Sequence, residues 1–134
     1  MSQEEGWVLR YVELKSGYSD NGPAWVARVK MSRSGQTVYF GNKALSRGNG
    51  VSGNYYDVET GEEYWVSGVK KRGLNRHWAG GGSVAIEASA VVAFLEHTGR
   101  EHVDPKSFVV VPDLPSPNPA RFVALLNEKV KSRL

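Results

Sequence analysis

Turn residues cut this chain into short β-rich runs at intervals of roughly ten residues, and that punctuation constrains its fold more than any other feature. The clearest run is 24–32. Trp25, Ala27, Val29 and Met31 point one way, and Val26, Arg28 and Lys30 the other. A period of two is the signature of a half-buried strand. Arg33-Ser34-Gly35-Gln36 is a turn, and TVYF (37–40) returns as a second β-rich run, making this the most secure hairpin in the chain. WVLRYVEL (7–14) alternates in the same way before the turn-rich KSGYSDNGP.

Beyond the hairpin, residues 54–58 read as a strand, Glu59-Thr60-Gly61-Glu62 as a tight turn, and EYWVSGVKK (63–71) as a further strand. Gly68 interrupts that strand and marks a bulge or a close backbone approach. Arg72 to Asn75 turns again, a short strand starts over 76–78, and SVAIE (83–87) adds another. ASAVVAFLEH (88–97) then changes period and ends at Gly99, a C-cap candidate, so one helix covers the sheet. SFVVV (107–111) is a late strand or extended packing segment. PDLPSPNP follows, and Asn118 and Pro119 open a C-terminal helix striped by Phe122, Val123, Leu125, Leu126 and Val130. The expected class is α+β: a strongly bent antiparallel meander or small β-barrel, one covering helix, and a C-terminal helix after a Pro-rich linker. Residues 1–111 form the β-rich domain, and the helix within 112–134 is expected to close the same core, the alternative being that it packs on a neighbour.

At 134 residues the chain supports one hydrophobic core. It has no cysteine, which removes disulfides, thiolate metal sites and a Cys nucleophile together. No apolar run approaches the roughly 18 residues of a membrane span, and MSQEEGW is no signal peptide, so a cytoplasmic protein is expected.

Gly48-x-Gly50-x-x-Gly53 matches the spacing of a dinucleotide-binding loop. Such a loop needs a helix after it, whose N-terminal amides face the pyrophosphate. Asn54-Tyr55-Tyr56-Asp57-Val58 favours a strand instead. The glycines are therefore expected to serve the backbone, by allowing positive dihedrals between strands. No cofactor is expected. Other catalytic patterns are also missing: His97 and His102 flank Gly99 rather than sharing a helical face, and neither G-x-S-x-G nor a P-loop occurs. No metal-ligand spacing is present, and no catalytic role is expected.

Charge is uneven although the net value is only +3. Arg28, Lys30, Arg33, Lys43 and Arg47 come without an acid between 21 and 56. Asp57, Glu59, Glu62 and Glu63 follow together, and then Lys70, Lys71, Arg72 and Arg76. Such blocks make patches that steer partners, unless adjacent strands pair them across a solvated face. His77, between Arg76 and Trp78, is the best candidate for a polar site. The candidate partner-binding residues are thus Lys70, Lys71, Arg72, Arg76, His77, Asp57, Glu59 and Glu62.

SGYSDNGPAW, SRSGQTVYF and above all GVSGNYYDVETGEEYWVSGVKKRGLNRHWAG resemble a family of short bacterial proteins with no established activity. Gene predictions often label its members deoxyxylulose-phosphate synthase. That label implies a far longer thiamine-diphosphate enzyme with a GDG-type motif, and both size and motif exclude it here. The resemblance implies a small β-rich binding protein. A non-catalytic domain with a protein partner is the leading expectation, in its sharpest form an immunity or antitoxin-like protein that blocks a toxin. The pI of about 9.2 opposes simple charge complementarity to a basic nuclease toxin. The alternative is nucleic-acid binding, with Lys30, Lys70, Lys71, Arg72 and Arg76 neutralising phosphates beside aromatics. A small enzyme built on His77 and the carboxylates 57–63 is the third reading.

Overall fold

The computed structural model describes residues 7–15, 22–48, 54–72, 83–115 and 122–123. Strands β1 (Trp7–Leu14), β2 (Ala24–Met31), β3 (Thr37–Phe40), β4 (Lys43–Arg47), β5 (Asn54–Asp57) and β6 (Glu63–Ser67) run as an antiparallel meander. The meander closes on itself. β1 pairs with β2 over Trp7–Glu13 and with β6 over Tyr11–Leu14, so its C-terminal half is bonded on both edges. A six-stranded barrel results, and closure removes the exposed edges that an open meander would present.

Two further strands, β7 (Val84–Glu87) and β8 (Phe108–Val111), extend the sheet from β2, and both pairings are parallel. β2 can hold β1, β3 and β7 because it divides one edge: Lys30–Met31 face β3, and Trp25–Val26 face β7. A parallel neighbour needs a crossover. Between β2 and β7 the connection runs through β3 to β6, and between β7 and β8 it includes a 3-10 turn (Ala88–Ala90) and helix α1 (Val91–Thr98). Gly99 caps α1 at φ 73°, its amide donating to the Leu95 carbonyl at 2.9 Å.

Alternation along the strands sorts side chains into an inside and an outside. Val12, Ala27, Val29, Val38, Leu45 and Val66 fill the barrel, with Phe40, Tyr55 and Tyr64 among them. The outward residues Tyr11, Ala24 and Val26 are covered by the β7–α1–β8 unit, where Phe94 meets Phe108 edge-to-face at 5.1 Å between ring centroids. A third, smaller cluster on the outside joins Ala44 and Val58 to Phe122. The faces anticipated for 24–32 and for 7–14 are therefore both used, but neither strand is half-solvated: the outward face carries a second core.

Several expectations need correction. β4 was not anticipated. KALSR is polar at its ends and lacks β-branched residues, yet Ala44, Leu45 and Ser46 are all buried, since flanking strands and Phe122 cover both faces. The third β-run stops at Ser67, and an added Cβ at Gly68 would meet nothing within 4 Å. Gly68 thus follows the strand end and is neither a bulge within it nor a close approach. Gly48 shows no positive φ. An added Cβ there would come within 2.3 Å of Tyr56 Cε1, so the glycine makes room for a ring. Residues 50 and 53, the short strand at 76–78, and the C-terminal helix apart from Phe122 and Val123 lie outside the described residues.

After β8 the chain becomes a strap, residues 112–115. Leu114 packs against the barrel core, and Gly41, at φ 55°, passes so close that an added Cβ would lie 3.2 Å from Leu114 Cβ. Two carboxylates hold the strap. Buried Glu87 accepts the Leu114 amide through Oε2 at 2.8 Å and the Arg28 amide through Oε1 at 2.8 Å. In return, Asp113 accepts the Ser89 amide at 2.8 Å.

Candidate functional site

The acidic candidates occupy the β5–β6 connection. The Asp57 amide donates to the Glu62 carbonyl at 2.9 Å, the Gly61 amide to the Asp57 carbonyl at 2.8 Å, and Gly61 takes φ 78°. Asp57 Oδ1 accepts the Glu59 amide at 2.8 Å and the Thr60 amide at 3.3 Å, so the side chain closes the turn that follows it. Asp57 is only 1% exposed, whereas Glu59 lies on the surface. The Thr60 hydroxyl donates to Glu62 Oε1 at 3.2 Å.

Asp57 Oδ2 is the unusual atom. It is buried and has no hydrogen-bond partner, and Lys43 Nζ stands 3.5 Å away as a loose ion pair. Lys43 comes from β4, the strand that the sequence reading lacked. Its side chain is 40% exposed and lines a cleft of about 270 Å³ at the barrel mouth. The remaining walls are Phe40 to Asn42 of the β3–β4 turn, Glu59, and Leu114 with Pro115 of the strap. Inside the barrel, burial pushes the Tyr64 hydroxyl up to about 12, with the negative charges of Glu62 and Asp57 adding to the effect.

The basic candidates lie elsewhere. Lys70, Lys71 and Arg72 are exposed beyond the far end of β6. Buried Val69 anchors this run in the outer core, and His97 Nε2 of α1 contacts the Val69 carbonyl at 2.7 Å. A carbonyl only accepts, so Nε2 carries the hydrogen. β6 alone spans about 13 Å at ~3.3 Å per residue, and the fold therefore separates Glu59 and Glu62 from Lys70, Lys71 and Arg72. Arg76 and His77 lie outside the described residues.

The sequence reading missed two polar residues. Alternation in SVAIE sets Glu87 on the face opposite Ile86, and Glu87 is buried there with the strap amide of Leu114 on its carboxylate. Lys43 was counted only as charge. Gly41-Asn42, a two-residue turn signal between Phe40 and Lys43, could have announced β4 and with it the Lys43–Asp57 pair. Among the described residues no group of three His, Asp or Glu could hold a metal ion, and no helix is long and apolar enough to cross a membrane. The described aromatics are mostly committed to packing: Tyr11, Phe40, Tyr55, Tyr64, Phe94, Phe108 and Phe122 are buried. No family model, curated protein or solved structure matches the chain.

Proposed function

We propose that this chain is a non-catalytic binding domain whose partner is a protein, acting in the manner of an immunity or antitoxin-like protein. One observation carries the reading: an acidic turn and a basic run are held at opposite ends of β6, each on a packed scaffold. Segregated charge on rigid elements orients a partner during encounter, and it does so even when the net charge is small. Val109 and Val110, each more than half exposed on the last strand in the sheet order, add apolar surface of the kind that protein partners cover. The family resemblance points the same way.

Affinity-tagged protein expressed in its native cells, with the neighbouring genes inspected for a toxin, tests the reading. The expected result is one protein retained in stoichiometric amount and lost when Lys70, Lys71 and Arg72 become Glu. Absence of any retained protein overturns it. The exposed run Lys70–Arg72 also suits a phosphate backbone, although seven of the described aromatics are committed to packing. Retention on heparin at about 50 mM salt, weakened when those three residues become Ala, would reinstate nucleic acid as the partner.

A further inference from the structure

The cleft at the barrel mouth has the chemistry of a receptor for one side chain. Its volume of about 270 Å³ falls just below the range of drug-sized pockets, so it suits a group the size of a side chain. Leu114 and Pro115 offer apolar wall for an aliphatic stem. Behind the cleft, Asp57 Oδ2 is buried without a hydrogen-bond donor. The route to it is already marked: Lys43 lines the cleft, and its Nζ stands 3.5 Å from that oxygen.

We propose that this cleft binds a guanidinium group, the side chain of an arginine on the protein partner, which displaces Lys43 and donates to Asp57 Oδ2. Three features select this chemistry. Lys43 of the cleft wall already pairs with the buried Asp57 carboxylate, so the group behind that wall selects an incoming cation over an anion. The resident ammonium makes an ion pair without a hydrogen bond, and a half-exposed pair of that kind is weak. A planar guanidinium carries five donors in a rigid fork, so it can donate to Oδ2 where the ammonium makes no hydrogen bond. Asp57 Oδ1 stays engaged with the turn amides throughout, so the receptor needs no refolding. The inference rests on the protein-binding reading only for the source of the arginine.

Titration of the full-length, nitrogen-15-labelled protein with Nα-acetyl-arginine amide tests the cleft. Nα-acetyl-lysine amide and acetate at equal ionic strength serve as controls. The expected result is saturable shifts in the amides of Gly41, Asn42, Glu59 and Leu114 with the arginine compound, and weaker or none with the others. Lys43→Ala removes the competitor and tightens binding by up to about fivefold, the reach of a half-exposed ion pair. Asp57→Asn keeps an Oδ1 acceptor for the turn and abolishes binding. No saturable shift with the arginine compound, stronger shifts with acetate, or weaker binding by Lys43→Ala overturns the proposal. Binding of the small compound with no protein partner in native cells keeps the cleft and removes the partner. A protein partner whose retention survives Asp57→Asn keeps the binding reading and removes the cleft from it.

Discussion

Replacing Glu87 by Ala tests the strap and the parallel extension of the sheet together. The carboxylate is 5% exposed and accepts one backbone amide on each oxygen, Arg28 of β2 and Leu114 of the strap, both at 2.8 Å. β7 pairs with β2 only through Trp25 and Val26, so the Arg28 amide depends on this side chain where the ladder stops. Truncation strands both donors. A buried unsatisfied group costs about 1–3 kcal/mol, which brackets the loss at about 2–6 kcal/mol. The strap lies near the surface and water reaches part of it, so a value of about 3–4 kcal/mol is expected. That is a large share of the total of about 5–15 kcal/mol for a domain. Glu87→Gln keeps one acceptor and should lose roughly half as much. Urea denaturation gives the free energies, and hydrogen exchange at the Arg28 and Leu114 amides reports where they arise. A variant within about 0.5 kcal/mol of the parent, with both amides still protected, would refute the clamp, because surface substitutions alone stay inside that range.

Three other outcomes follow from the packing. The Tyr64 hydroxyl is raised to about 12 from an ordinary 10.0 by burial and by Glu62 and Asp57. Its neutral form is the one that fits the fold, so the associated stability is complete below pH 10, and it is lost as the pH rises toward 12. Tyr64→Phe should remove this alkaline slope, measured by denaturation against pH with tyrosinate absorbance as the monitor. Gly48→Ala places a methyl 2.3 Å from Tyr56 Cε1 and should cost about 1–3 kcal/mol by overpacking; Tyr56→Ser in the same chain should recover much of it. Phe94→Ala empties the contact that seats α1 on β8 and should cost about 3–5 kcal/mol, with the loss of exchange protection concentrated in α1 and β8.

Much of the architecture was legible in the sequence because its cues are local. Period-two alternation in 24–32, Arg33–Gln36, Glu59–Glu62 and the cap at Gly99 each follow from the dihedral preferences of a few neighbouring residues, and all reappear in the structure. β4 escaped that logic. Its central residues are covered on both faces by segments distant in sequence, so no alternation remains to be read. The candidate site divided in the same way. The acidic turn and the basic run were visible as blocks of charge, but their separation by β6 was not, nor the burial of Asp57 or its loose pairing with Lys43.

By itself, then, the order of residues determined where this chain turns, which runs extend, and that one helix interrupts them, since these depend on contacts within a few positions. Only the tertiary structure decided that β1 closes the barrel, that β7 and β8 add to β2 in parallel, and that the strap buries Glu87 and borders the cleft. Those outcomes depend on which distant surfaces exclude water from one another, and on where a charged group is left once they have done so.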